Sequence, residues 1–449
     1  MIFLPAEHWA PATNPARFLA TLFEAMVAAA DPARLLPARL PGPPRGRTVV
    51  IAAGKAAAAM AGAVEQRWRG ELSGLAVTRY GHGVPCRTID VIEAGHPLPD
   101  SSGADAAERA LALVKDLSAD DLVLVLLSGG GSALLTLPAP DLDLQDLRQV
   151  NGELLRSGAP IGEINCVRKH LSAITGGRLA VAAWPAEVVT FAISDVPGDD
   201  PAVIASGPAV GDPSTFAEAL EIVKRYGLPV PESIRRHLED AQDETPKPGD
   251  PRLARGRFIL LATPSTALAA AASAAREAGV EPVVLGAEIQ GEARVVAAEH
   301  AALARRRQER RTGAERLPEH GPLLILSGGE TTVTVRAGGR GGRNTEYLLA
   351  LALALEAGDD REVGAAAQAG RAPSIYALAA DTDGIDGSED NAGAFLYPDT
   401  LARARAGGLD PGDFLAANDS YGFFAALGDL HVTGPTRTNV NDFRAILVL

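Results

Sequence analysis

The chain has 449 residues, with 42 Lys and Arg against 56 Asp and Glu, a formal charge of −14, and 47% of its positions are hydrophobic. That length suffices for two or three domains, each with a full core, which excludes a small disulfide-stapled module and a disordered scaffold. Only 4% of residues are aromatic and the acidic balance is spread along the chain, so neither stacking platforms nor a basic stripe for nucleic acid is present. Cys86 and Cys166 are the only cysteines and stand far apart, which argues against a disulfide framework or a Cys-based zinc site and for a reducing compartment. Met1 to His8 lack the basic start and apolar run of an export signal. No apolar stretch reaches the roughly 20 residues that span a bilayer. The expectation is a soluble cytoplasmic protein with no membrane partner; a homo-oligomer is compatible with the sequence.

Short β-branched runs recur along the chain, several ending in Gly or Asp and leading into Ala- and Leu-rich stretches of helical character. The clearest are Thr48 to Ala53, Leu75 to Thr78, Leu122 to Leu127, Val188 to Ile193, Phe258 to Ala262, Pro282 to Leu285, Leu323 to Leu326 and Ile375 to Ala379. They are apolar throughout instead of alternating, as suits parallel strands covered by helices on both faces. The fold class is therefore α/β. Between Pro229 and Arg257 the sequence turns polar and Pro-rich, predicting a linker and two domains, 1–255 and 256–449. Arg305 to Pro318 reads as a charged helix end and surface loop, its arginines either an anion site or a solvated face.

In open parallel sheets, ligands sit beyond the carboxyl ends of the strands, so the loops there carry the chemistry. Gly54-Lys55-Ala56 follows the first strand: a glycine turn admits close backbone approach, and the lysine, one of five in the chain, adds mobile positive charge. It lacks the upstream glycines of a Walker A loop. Ser128-Gly129-Gly130-Gly131-Ser132 follows the strand Leu122 to Leu127, and successive backbone N–H groups in such a loop form a concavity suited to phosphate oxygens. A G-x-G-x-x-G fingerprint for nicotinamide dinucleotides occurs nowhere. Ser194-Asp195 follows the next strand, where a carboxylate can hold Mg²⁺ through water, accept a hydroxyl proton, or simply cap a turn.

Further along, Gly338 to Glu346 places Arg340 and Arg343 among glycines, an arrangement that lets a guanidinium fork meet a carboxylate or phosphate. Asp381-Thr-Asp383-Gly has the opening of a calcium loop, but the twelfth position is Ala392 and not Glu, which rejects an EF-hand. Hard oxygen ligands beside phosphate cradles fit Mg²⁺ carried by a nucleotide. His82 and His96 sit in sharp loops, as general bases or as hydrogen-bonded turn residues. Asn165, Arg168 and Lys169 share an amphipathic stretch and read as carboxylate ligands or as helix-surface charge. The eight histidines include no H-x-x-x-H pair, so a catalytic zinc has no support.

Taken together, Ala53-Gly-Lys55-Ala, Glu93-Ala-Gly-His-Pro-Leu-Pro-Asp100, Leu127-Ser-Gly-Gly-Gly-Ser-Ala-Leu134, Asn165-x-x-Arg168-Lys-His-Leu-Ser172, Ser194-Asp-Val-Pro-Gly-Asp199, Ser206-Gly-Pro208, Ser327-Gly-Gly-Glu-Thr-Thr332, Gly341-Gly-Arg-Asn-x-Glu346, Asp381 to Gly387 and Gly434 to Asp442 resemble the class II glycerate kinase family. Its C-terminal half is the MOFRL domain. The resemblance runs in order from about Gly54 to Asp442. It implies ATP-dependent, Mg²⁺-assisted phosphorylation of D-glycerate to 2-phosphoglycerate by a Rossmann-like domain and a second α/β domain, with the site in a cleft of the two. Many relatives carry the older label hydroxypyruvate reductase, which supplies the alternative.

On this resemblance Lys55 and Arg343 are the cations nearest the reacting groups and Asp195 is a neighbouring polar or metal-linked carboxylate; from the chemistry of the residues, Asp195 is the leading candidate to accept the hydroxyl proton. Ser128 to Ser132 hold nucleotide phosphates; Asn165, Arg168, Lys169 and Arg343 hold the acceptor; Asp381 and Asp383 hold Mg²⁺. An acidic protein repels polyanions at long range, so the cations are expected to be concentrated locally.

Overall fold

A computed structural model describes residues 11–312, 321–359 and 374–449. The opening Met1 to His8 and part of the arginine-rich stretch after Arg306 lie outside the described residues. In chain order the elements are α1 (Pro15–Ala29), α2 (Pro32–Leu35), β1 (Thr48–Ala53), α3 (Ala57–Arg67), β2 (Ser73–Arg79), β3 (Ile89–Ala94), α4 (Ser101–Val114), β4 (Leu122–Leu127), α5 (Gly131–Leu134), α6 (Leu144–Arg156), α7 (Ile161–His170), α8 (Arg178–Ala183) and β5 (Glu187–Ile193). They continue with α9 (Phe216–Arg225), α10 (Glu232–Asp240), β6 (Gly256–Ala262), α11 (Pro264–Glu277), β7 (Pro282–Gly286), β8 (Gly291–Glu292), α12 (Ala293–Thr312), β9 (Leu323–Gly329), β10 (Thr331–Thr332) and α13 (Arg343–Asp359). The last strands are β11 (Ile375–Asp381), β12 (Gly393–Leu396), β13 (Leu430–His431) and β14 (Asp442–Val448), with three short helices before β13.

The chain forms two compact units. The first comprises Ala30–Thr263 and Arg437–Asn439; the second comprises the stretch up to Ala29, Pro264–Thr436 and Val440–Leu449. The first unit holds a six-stranded sheet of order β3-β2-β1-β4-β5-β6, every neighbouring pair parallel. Its central strands β1 and β4 are buried along their whole length, as expected of apolar runs covered on both faces. Val49, Ile51, Val123, Val125 and Leu127 pack with Ala106, Ala107 and Ala110 of α4 in one core cluster. The strand order reverses at β1 and β4, which makes the loops after these two strands neighbours and leaves a crevice at their carboxyl ends.

The second unit is built on a six-stranded mixed sheet, β13-β12-β11-β14-β9-β7. Only β7 and β9 run parallel; β14 lies antiparallel to both β9 and β11. The parallel sheet suggested by the apolar runs therefore holds for the first unit and not for the second, because β14, also buried throughout, inserts between β9 and β11.

The division of the chain also differs from a single cut near residue 255. β6 pairs with β5 in the first sheet, and the Pro-rich segment expected to be a linker is built into the first unit: Glu244 accepts from Phe216 N–H at 3.1 Å and meets His170 Nε2 at 2.9 Å. At the other end, α1 buries Phe18, Leu19, Leu22, Phe23 and Met26, residues three and four apart on one face. That face belongs to the second unit, where Phe23 sits edge-on to Phe443 of β14. Apolar surface needing cover, not sequence adjacency, sets the unit to which each segment belongs.

Candidate functional site

In the first unit the switch point brings the two glycine loops together. Lys55 N–H donates to Gly129 O at 2.8 Å and Ser128 N–H to Ala53 O at 3.0 Å. Ser128, fully buried, accepts at its Oγ from Ala56 N–H at 2.9 Å. The residue thus latches one loop to the other, and its side chain is not presented to a ligand. Gly54 has φ +128°, and a Cβ there would lie 2.4 Å from Ser128 O, so only glycine permits the contact. Among the described residues the N–H groups of Gly129 and Gly130 have no hydrogen-bond acceptor. Two adjacent undirected donors on a loop this close to Lys55 are the feature of a backbone anion cradle.

Three side chains converge on that cradle. A Cβ on Gly129 would stand 1.8 Å from Asp195 Oδ2 and 2.5 Å from Asn439 Nδ2. The His96 ring lies over Gly130, 2.9 Å from the place a Cβ would take, with Lys55 Cγ at 3.6 Å from the same point. Asp195 Oδ2 accepts from Asn439 Nδ2 at 2.8 Å. Lys55, Asp195 and Gly129 to Gly131 are thus brought together within one unit. His96 was open to a bland reading as a turn residue, and Asn439 had no sequence signal beyond its place in the Gly434 to Asp442 motif. Neither could be placed at the cradle without the fold.

Behind the cradle, Ser132 Oγ accepts from Ser206 Oγ at 2.8 Å, and Ser206 in turn lies 3.4 Å from Asn165 Oδ1. Asn165 Nδ2 donates to Val203 O at 3.2 Å, so this residue holds the segment that carries Ser206. Lys169 is buried in an ion pair with Asp212 at 2.6 Å, the two side chains 6% and 0% exposed. Burial opposes the ionised form of Asp212, yet bonds from Lys169 and Ser214 outweigh it and hold this carboxyl below the usual range. Lys169, expected as an acceptor ligand, is placed in this ion pair with Asp212. Among the described residues no carboxylate pairs with Arg168, whose Nε donates to Asn151 Oδ1 at 2.6 Å.

Arg343, Asp381 and Asp383 belong to the second unit. Arg343, first residue of α13, meets three carboxylates: Asp442 at 2.8 Å from Nε, Glu330 at 2.8 Å from Nη1 and Asp381 at 2.8 Å from Nη2. Desolvation works against its charge, but Asp442, Asp381 and Glu330 overcome this and raise its pKa. The surroundings of this arginine are acidic, the reverse of the concentrated positive charge expected. Of its partners Glu330 alone is exposed, at 53%, against 4% for Asp381 and 0% for Asp442.

For the expected Mg²⁺, Asp381 Oδ1 already accepts from Asp383 N–H at 3.0 Å and Asp383 Oδ1 from Ile385 N–H at 2.9 Å. Among the described residues no group of three or more His, Cys, Asp or Glu is disposed to hold a metal. This donor set does not fit a resident metal held by protein alone. It fits a Mg²⁺ that arrives on phosphates with most of its water and needs one or two carboxylates.

The doubly wound sheet with its paired glycine loops at the switch point and the mixed second sheet define a two-domain α/β protein. The family model "Domain of unknown function (DUF4147)" matches residues 18–239 and that of the MOFRL family residues 323–442. A D-glycerate 2-kinase of Thermotoga maritima is 38% identical over 93% of this chain and 94% of its own. The crystal structure of a Thermotoga maritima glycerate kinase superposes with a TM-score of 0.80 at 37% identity, covering 96% of this chain and 99% of that one. A putative hydroxypyruvate reductase of Agrobacterium vitis is 52% identical over 96% of this chain and 94% of its own. The chain belongs to the glycerate kinase family and is an enzyme of that family. Among the described residues no helix is long and apolar enough to cross a membrane.

Proposed function

We propose that the protein is a glycerate 2-kinase, transferring the γ-phosphoryl group of ATP to the 2-hydroxyl of D-glycerate. The observation that carries this reading is the cradle itself: the loops of Lys55 and Ser128–Ser132 locked together, with two backbone donors, the Lys55 side-chain stem beside Gly130 and Asp195 beside Gly129. Phosphoryl transfer needs little covalent help from protein; it needs positioning and neutralisation of spreading negative charge. In this reading the Gly129 and Gly130 N–H groups hold nucleotide phosphates and Lys55 follows the moving group. The bond from the β,γ-bridging oxygen to Pγ breaks as the glycerate oxygen bonds to Pγ. Asp195 accepts the hydroxyl proton and ADP departs.

Asn439 keeps Asp195 oriented, and His96 adds a donor at the same loop. Arg343 meets an anionic substrate group when that anion takes the place of Glu330, its one exposed partner. A Mg²⁺ ion borne by the nucleotide would supply further charge neutralisation, held by Asp381 and Asp383.

The test is ³¹P and ¹³C NMR of the product formed from D-glycerate, ATP and Mg²⁺. A 2-phosphoglycerate signal upholds the reading; no ATP consumption removes it. Hydroxypyruvate reduction is the second reading, favoured by the name of the Agrobacterium vitis relative and opposed by the missing dinucleotide fingerprint. Loss of NADH absorbance with hydroxypyruvate would decide for it.

A further inference from the structure

In the first unit, Ser132 and Ser206 also border a small cavity with Asn151, Arg168, Ser172 and Thr175. It measures about 20 Å³ for the centre of a water-sized sphere. That is room for one small group.

Three of its polar side chains, Arg168, Ser172 and Thr175, keep hydrogen-bond donors that no acceptor among the described residues takes up. Arg168 is half-buried, and among the described residues its one side-chain hydrogen bond is from Nε to Asn151, with no carboxylate in salt-bridge range. Burial pushes its pKa down to about 10. A half-buried guanidinium with no counter-ion is less well compensated than its sequence neighbour Lys169 or the distant Arg343, which both have their carboxylates. Thr175 is 4% exposed and its Oγ1, sealed from solvent, has no hydrogen-bond partner. Ser172 Oγ accepts from the N–H groups of Ile174 and Thr175, each at 3.2 Å, which leaves its own proton to donate. A cation with no carboxylate in range beside the sealed, unpartnered Thr175 hydroxyl suits a small anion.

We propose that this cavity seats the carboxylate of a short hydroxy acid, with Arg168 as its counter-ion and Thr175 as a second donor. The proposal rests on the reading that a hydroxy acid is the acceptor. Ser132 belongs both to the cavity wall and to the glycine loop, so an acid anchored here sends its carbon chain toward the loop. Neutral analogues leave Arg168 and Thr175 unpaired and are rejected. Carboxylate recognition then belongs to α7 and the segment after it, while Lys55 remains for the phosphoryl group.

The test is calorimetric binding of D-glycerate, with and without a non-hydrolysable ATP analogue, to the full chain and to Arg168→Gln, Arg168→Lys and Thr175→Val. Loss of a charge-assisted contact predicts roughly ten- to hundredfold weaker binding for Arg168→Gln, partial recovery for Arg168→Lys and a several-fold loss for Thr175→Val. Binding of the nucleotide analogue alone should be the same in all four proteins. Glyceramide should bind the wild type and Arg168→Gln equally weakly. Unchanged glycerate affinity in folded Arg168→Gln, or glyceramide binding as tight as glycerate, overturns the proposal. Should Arg168→Gln fail to fold, Thr175→Val decides alone: it removes an unpartnered hydroxyl at no cost to folding, and wild-type affinity there rejects the seat. Glycerate binding that depends on Arg168 without ATP consumption would sink the kinase reading and leave the seat. Phosphorylation with unchanged KM for glycerate in Arg168→Gln would do the opposite, and no glycerate binding under any condition would sink both.

Discussion

Asn439 donates to the Asp195 carboxylate at 2.8 Å across 244 positions of sequence, which fixes one oxygen of the candidate proton acceptor beside the glycine loop. Asn439→Ala removes that orientation without opening a buried charge. Turnover should fall roughly tenfold or more at unchanged nucleotide affinity, since general-base contributions of this kind depend on alignment. Steady-state kinetics with circular dichroism as the folding control check it.

Lys55 contributes to the cradle through both its backbone and its side chain. Lys55→Ala keeps the N–H to Gly129 O and removes only the ammonium. Turnover should drop by at least about two orders of magnitude while the melting curve stays close to wild type. Near-normal activity in Lys55→Ala would remove the assignment.

Glu330 neutralises Arg343 from the solvent side. Glu330→Gln leaves the guanidinium with Asp442 and Asp381 and removes one competitor for an incoming anion. We expect KM for the anionic substrate that meets Arg343 to fall several-fold, with the effect shrinking at high salt because the lost charge is exposed. An unchanged KM for both substrates would separate Arg343 from ligand binding.

Lys169 and Asp212 form the buried ion pair of the first unit. Breaking such a pair from one side leaves an uncompensated charge, so Lys169→Met should destabilise by about 3–5 kcal/mol. Lys169→Met with Asp212→Leu should recover much of that. Chemical denaturation measures both; a strong rise in KM without loss of stability would restore Lys169 to the ligand set.

His300 is 6% exposed, with Nδ1 at 2.7 Å from the Tyr347 hydroxyl. Burial first, and Arg444 second, lower its pKa from 6.5 to about 4. It is neutral in the folded protein while the unfolded chain takes up a proton below about 6.5. Its contribution is therefore fully present above that pH and is lost as pH falls from about 6.5 to about 4. The shift corresponds to roughly 3 kcal/mol. His300→Gln should flatten this limb of the stability profile, as followed by urea unfolding between pH 7 and pH 4.

Much of the fold was legible because it depends on local pattern. Runs such as Thr48 to Ala53 and Leu122 to Leu127 are apolar at every position, and a strand of that kind must be covered on both faces wherever it lies. Glycines that no packing preference explains marked the cradle, since backbone can approach backbone only where a side chain is missing. The ordered motifs carried the family.

What only the tertiary structure decided is which of these local features meet, and with what net charge. Strand order made the Lys55 and Ser128 loops neighbours, and no run of residues states that order. α1 and β6 joined their units through the surface they bury, against the composition shift near residue 255. Arg168, Lys169 and Arg343 look alike in sequence, but one lacks a counter-ion, one is buried against Asp212 and one is ringed by Asp442, Asp381 and Glu330. Electrostatic roles follow from carboxylates brought in from up to 99 positions away, and those distances exist only once the chain has folded.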